Sequence, residues 1–442
     1  MESIQKKGAA LGILAGLGTL VSSPAANAAS ELNSGDTAWI LVSCALVLFM
    51  SIPGLFLFYA GLVQRRNVLS VMMQCFTLTA TVTLLWLAFG YSVAFDTTGM
   101  AQGEQGVNAF IGSLSKVFLT GVGRDSVHGT IPEVLFFMYQ MTFAIITPAL
   151  MIGAFAERMK FAAAIWFCLL WVVAVYLPIC HMVWGGPGAF FADMGVIDFA
   201  GGIVVHITAG IGALVACIMV GKRIGYPDEV RRPHNLTMTV TGTAMLWVGW
   251  FGFNGGSALA AGADAAMAIT VTHISASVGA VVWMVIESVK NSKPSVLGAA
   301  TGSIAGLAAI TPAAGTVGPV GALLIGAVSG ILCFYASVNL KQRFGYDDSL
   351  DVFGVHGVGG LVGTLMVAVV GGTALGGTLE ESTGTQLMTQ SIAAATTVLY
   401  TGAVSWMLLK GVAWFCGGLR VEEQQEREGL DLSEHEERGY IL

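Results

Sequence analysis

Residues 198–206, Asp198-Phe-Ala-Gly-Gly-Ile-Val-Val-His206, open an apolar run that continues to Val220 without another charged side chain. About 20 apolar residues is what a helix needs to cross a bilayer core of roughly 30 Å. This run therefore reads as one transmembrane helix with an acid at its start and an imidazole inside it. Ionisable groups are costly in hydrocarbon and are kept where they face an interior path. A second segment, Asp351-Val-Phe-Gly-Val-His356, repeats the arrangement before another apolar run. The Asp-to-His spacings are eight and five, so internal symmetry is suggested without being strict.

Working outward, the whole chain has the same character. Of 442 residues 55% are hydrophobic and only 11% charged, against roughly 25% charged in soluble domains. Too few charges remain to hydrate a globular surface, which excludes a water-soluble enzyme. Apolar runs predict an all-α polytopic membrane protein with eleven spans at 38–63, 68–95, 132–156, 161–184, 199–221, 235–256, 267–289, 296–313, 319–340, 351–372 and 388–416. Basic residues mark the cytoplasmic side. With the N-terminus outside and the C-terminus inside, sixteen of the eighteen Lys and Arg beyond residue 28 fall on inner loops or the C-terminal end, and only Lys116 and Arg124 fall outside. Five spans, five more of opposite orientation and a final helix make an inverted repeat, which would bring His206 and His356 in from opposite faces to meet near the midplane.

The ends are processed or solvated segments. Lys6 and Lys7, the short apolar run 8–21 and Ala26-Asn27-Ala28 form a cleavable signal peptide over residues 1–28. The transmembrane domain is then 29–416, and 417–442 form a cytoplasmic tail. Residues 421–442 carry eight acidic and two basic side chains, by default a solvated charge run. No basic stretch suggests nucleic acid. The seven cysteines lie in apolar runs without CxxC spacing, so neither a disulfide framework nor a zinc site is implied.

Within the spans, His181 and His273 read as hydrogen-bonded packing residues. Paired neutral imidazoles at His206 and His356 can share a proton and line a narrow path without fixed charge. Metal binding lacks a third ligand at helical spacing. Asp198 lies about 12 Å along an ideal helix from His206, and capping of helix N–H groups is favoured over a cation-ligand role. Tyr139 and Phe143 share a face at i and i+4, Trp184 closes a span, and Trp250-Phe-Gly-Phe253-Asn-Gly-Gly-Ser257 ends another. An interfacial aromatic belt explains these rings as well as a cation-attracting cage does.

These segments, with Gly418-Leu-Arg-Val-Glu-Glu423 and Arg427-Glu-Gly-Leu-Asp431, resemble the Amt/MEP/Rh ammonium transporters, bacterial Amt branch, from about Thr37 to Tyr440. The resemblance implies a homotrimer in the bacterial inner membrane, with one pore per subunit for ammonium or ammonia, methylammonium being a further candidate. Ammonium is then recruited by Trp184, Phe143 and Ser257, with Tyr139 standing where the pattern has Phe. Phe143 and Phe253 match the gate, Trp250 the indole on the path, His206 and His356 the twin histidines, and Asp198 the acid behind the vestibule. The stretch between Trp184 and Asp198 is slightly longer than the pattern. No cofactor or metal is implied; the resemblance makes the tail regulatory and packed on the cytoplasmic face, with a PII-type signalling protein as its expected partner. An electrogenic transporter is the first reading, and a neutral ammonia channel or an ammonium sensor is the alternative. No nucleophile beside a His and no metal triad argue for an intramembrane enzyme.

Overall fold

A computed structural model describes residues 31–229 and 231–440. The leader and its cleavage after Ala28 lie outside the described residues. Nine helices among those residues are long and apolar enough to cross a membrane: Ser34–Leu62, Val68–Phe95, Glu133–Phe155, Phe161–Trp184, Gly202–Val220, Ala263–Asn291, Pro319–Phe344, Phe353–Val370 and Thr383–Phe415. Two further expected spans are helical but less marked. The helix at 236–255 is diluted by threonine and glycine, and Val296–Ile310 is short.

Helix starts follow local chemistry. Asn33, Asn235, Ser295 and Ser382 each accept a backbone N–H from the first turn they precede, which satisfies donors that a helix leaves unpaired. Many of the long helices are interrupted by short π segments, including Gly202–Ile207, Phe251–Gly255 and Phe353–Gly357. A π turn inserts one residue and re-aims the side chains around it. His206, Phe253 and His356 all sit in such turns.

Two of these helices, Gly202–Val220 and Phe353–Val370, pack directly on each other. The contact depends on missing side chains: a Cβ on Gly210 would overlap the Gly357 backbone, and one on Gly360 would lie 2.8 Å from Gly202 O and His206 Cβ. Small residues let helices approach closely in lipid, and here that approach puts the two histidines within reach of each other.

The tail is not the solvated charge run expected from its composition. Helices Glu423–Glu428 and Leu430–His435 fold against the loops of one face, with Glu426 and Asp431 only 1% and 3% exposed. The Val68–Phe95 and Phe161–Trp184 helices lack a side-chain cap of their own. Tail carboxylates take that place: Asp431 Oδ1 accepts from Ser70 N at 2.7 Å and Glu434 Oε2 from Phe161 N at 2.9 Å. The acids are drawn in by orphan helix N–H groups and the positive helix ends.

Candidate functional site

His206 and His356 meet at the centre of the bundle. Their Nδ1 atoms are 3.2 Å apart and their rings are stacked with centroids at 5.2 Å. At that separation one nitrogen donates and the other accepts, so the pair shares one proton between two neutral rings. His206 stacks on Trp250 at 5.5 Å, and the Trp250 indole is fixed by donating to Thr311 Oγ1 at 2.9 Å. His206, His356, Trp250, Phe253 and Phe58 line a cavity of about 10 Å³. That is room for about one water-sized molecule between mostly apolar walls.

The helix leading to His206 is held open at its start by Asp198. Its carboxylate accepts from the backbone N–H groups of Gly201 (2.9 Å), Gly202 (2.5 Å), Ile203 (2.8 Å) and Val204 (3.0 Å). Burial pushes the carboxyl above its usual range, while these four donors pull the other way. The Asp198 carbonyl accepts from Trp184 Nε1 at 2.7 Å, so one residue caps the histidine helix and orients the indole.

The matching acid in the second half is Asp348, not Asp351. Asp348 Oδ2 accepts from Phe353 N at 2.8 Å, and the residue is 1% exposed. Asp351, read from sequence as the counterpart of Asp198, instead turns outward at φ 61° and pairs with Lys341. The physical reason is that the chain between Asp348 and the π turn bends through a left-handed residue, which rotates the nearer acid away from the helix axis. Asp348 stands eight residues before His356, as Asp198 does before His206. Equal spacing was the available signal, and proximity to the histidine concealed it. Burial, with the Asp351 charge nearby, pushes Asp348 up to about 6.

On the face opposite the tail, a cavity of about 160 Å³ is lined by Phe143, Trp184, Ser257, Gln140, Phe136 and His128, among others. Phe143 meets Trp184 edge-on at 5.7 Å and lies against Phe253 at 4.2 Å, so the two phenylalanines close the cavity floor. Ser257 donates to Phe253 O at 2.9 Å, leaving hydroxyl lone pairs for a donor in the cavity. The structure places Tyr139 off the cavity wall. It is fully buried behind Phe143, with its hydroxyl at 2.9 and 2.8 Å from Gly252 O and Phe253 O and 3.3 Å from Ser257 Oγ. The extra hydroxyl, relative to Phe, ties it to the helix end it packs beneath. Sequence reasoning does not reach His128 and Gln140, the first because it lies outside the apolar spans, in a two-residue strand, and the second because it is uncharged.

On the tail face, a larger cavity of about 230 Å³ reaches His356 and is bordered by Lys341, Asp351, Arg223, Arg231 and Glu157. These charges form a network. Arg223 bridges Asp347 (2.7 Å) and Glu157 (2.9 Å), and Glu426 of the tail joins Arg420 (2.6 Å) and Arg231 (3.4 Å). Against the cost of burial, Arg223 holds the Asp347 carboxyl at about 2. His181 is separate from the path, with its two ring nitrogens at 2.9 Å from Ala94 O and Asn108 O.

A family model described as the Ammonium Transporter Family matches residues 38–440. The ammonium transporter of Bacillus subtilis is 42% identical over 415 residues, covering 92% of this chain and 99% of that protein. Among solved structures, Saccharomyces cerevisiae Mep2 superposes with a TM-score of 0.81 at 32% identity, covering 90% of this chain and 89% of Mep2. A chain titled Sensor Amt Protein gives 0.83 at 28% identity, covering 91% of this chain and 98% of that one.

Proposed function

The chain belongs to the ammonium transporter family, and from that premise we propose that it takes up ammonium by separating the ion from its proton. Ammonium is recruited from outside in the cavity of Trp184, Phe143 and Ser257. It loses a proton at the Phe143–Phe253 floor and passes as ammonia through the narrow cavity beside His206 and His356. The single observation that carries this reading is the histidine pair itself, Nδ1 to Nδ1 at 3.2 Å, in a cavity of about 10 Å³. A hydrated cation does not fit there, whereas ammonia does. Ammonium and potassium have similar size and charge, so a simple cation pore would leak potassium, and a step that requires loss of a proton excludes every metal ion. The released proton follows through the shared imidazole hydrogen bond. Net charge then moves, and membrane potential drives uptake by about 2.3 kcal/mol per charge per 100 mV.

The same reading sets the Trp184 cavity outside, the tail in the cytoplasm, and the protein as a homotrimer in the inner membrane. The tail, through Glu426, Asp431 and Glu434, is regulatory, and a PII-type protein docks on that face. Asp198 acts by capping and by orienting Trp184. Tyr139 acts by holding Ser257.

The test is current in proteoliposomes after an ammonium jump, with potassium as control, for wild type and His206→Ala. An ammonium current absent with potassium, and lost or made unselective in the variant, is expected. Internal alkalinisation by ammonia without current would replace this mechanism with a neutral channel, and neither signal would leave a sensor.

A further inference from the structure

The outer vestibule carries polar groups beyond those that recruitment by Trp184, Phe143 and Ser257 uses. Phe136, Gln140 and Phe143 lie at i, i+4 and i+7 on one helix face, and all three line the cavity. Gln140 is 8% exposed, and its Oε1 is without a hydrogen-bond partner among the described residues. A buried acceptor left open is costly, which argues for a donor that visits. Farther out, the two-residue strand Val127–His128 pairs with Ile131–Pro132. It lays the His128 imidazole flat on Phe136, with ring centroids 3.7 Å and planes 12° apart, at the rim of the same cavity.

We infer that His128 is a proton-sensitive specificity residue of this vestibule. Neutral, it offers a nitrogen acceptor, alongside Gln140 Oε1, to the N–H bonds of arriving ammonium, and protonated it becomes a donor-only cation that turns the substrate away. The inference rests on the reading of this cavity as the ammonium recruitment site. Aromatic faces attract any small cation, so rings alone admit potassium too. Ammonium differs in having N–H donors, and lone pairs sort the two. Oxygen suits hard metal cations as well, whereas imidazole nitrogen is their poorer ligand and so the more selective one.

Histidine changes charge within the range of external pH that cells meet. His128 is an exposed residue with one ring face laid on Phe136, and this partial desolvation lowers it from its ordinary value, so the acceptor form holds at neutral pH and is lost on acidification. Of the charged groups around it, the Glu133 carboxylate favours its protonation and the Lys116 ammonium opposes it, and the rest are engaged elsewhere. Glu133 pairs with Lys116 and accepts from Tyr91. Asp36 is held by Thr130 and by Ala261 N. Asp198, behind Trp184, is occupied by four backbone donors. Arg124 and Asp125 precede it on its own loop.

The test records initial ammonium-driven current against ammonium concentration, with internal pH fixed and the vestibule facing a solution varied from pH 5.5 to 8.0. Wild type, His128→Gln and His128→Phe are compared, with potassium as control. In wild type the half-saturating concentration should rise about two- to threefold on acidification to pH 5.5. His128→Gln keeps an acceptor that does not titrate, and should give a flat profile near the neutral wild-type value. His128→Phe should raise the half-saturating concentration about threefold at every pH and narrow the preference over potassium. Both variants keeping the wild-type pH profile, or a pH-insensitive wild type, would overturn the inference while leaving ammonium transport standing. A wild type with no ammonium-specific response at any pH would instead overturn the transport reading beneath it.

Discussion

The two histidine helices share a backbone plan and differ in what closes them. At the His206 helix, Asp198 is 6% exposed and its two oxygens accept four backbone N–H groups, one residue behind an aromatic cavity. At the His356 helix, Asp348 is as deeply buried, yet its Oδ1 has no partner among the described residues and its neighbours are Asp351 and Lys341 on a charged cavity. A sealed cap on one side and a loosely satisfied one on the other give a path with one neutral, ring-lined mouth and one charged mouth. The shared plan fixes where the histidines meet, and the caps are where the two halves differ. The largest expected effect tests this difference. Asp198→Ala strips partners from four buried donors at about 1–3 kcal/mol each, so a loss of at least about 4 kcal/mol in denaturant unfolding is expected, with Trp184 released as well. Asp348→Ala leaves fewer orphans and should cost about 1–3 kcal/mol. Equal losses would break the comparison.

Much of this was legible before any coordinates, because lipid imposes a strong rule on sequence. Runs of about 20 apolar residues become helices, and the expected boundaries fall within a few residues of most observed ones. The sequence marks His206, His356, Phe143, Phe253, Trp184 and Ser257, and the structure places them on two cavities whose walls touch at the Phe143–Phe253 contact. What escaped was three-dimensional. Asp348 was passed over because a nearer acid stood closer to the histidine, and only the left-handed turn at Asp351 reveals which carboxylate meets the helix. Tyr139 looked like a cavity ring because i and i+4 share a face, but its hydroxyl found carbonyls beneath the surface. Composition alone makes the tail a solvated run and the resemblance makes it a packed one, but neither shows that Asp431 and Glu434 are the caps that two distant helices lack.

A smaller effect sharpens the comparison through pH. Asp348 titrates at about 6 in the fold, above the ordinary carboxylate value of 3.8. The folded state therefore binds this proton more tightly than the unfolded chain does. Its contribution is complete below about pH 4 and is lost as pH rises through 6. Asp348→Asn removes the titration, so stability of wild type relative to the variant should fall by about 1 kcal/mol between pH 5 and pH 8. Paired unfolding curves at the two pH values measure it. A constant difference would mean that Asp348 is as well satisfied as an ordinary exposed acid, and the contrast between the two caps would weaken.

The smallest effect concerns the acid that sequence put forward. Asp351 pairs with Lys341 at the rim of the charged cavity, with its side chain 32% exposed. Partly exposed ion pairs contribute about 0–1 kcal/mol. Its backbone carries a separate cost, since φ 61° is the left-handed region that Asp and Asn tolerate better than other non-glycine residues. The two contributions separate by substitution. Asp351→Asn keeps the backbone preference and removes only the charge, so a loss below about 1 kcal/mol is expected. Asp351→Ala adds strain and should cost about 1 kcal/mol more. A loss in Asp351→Asn as large as that of Asp198→Ala would make Asp351, after all, the acid on which the second histidine helix depends, and the two ends of the path would then be alike.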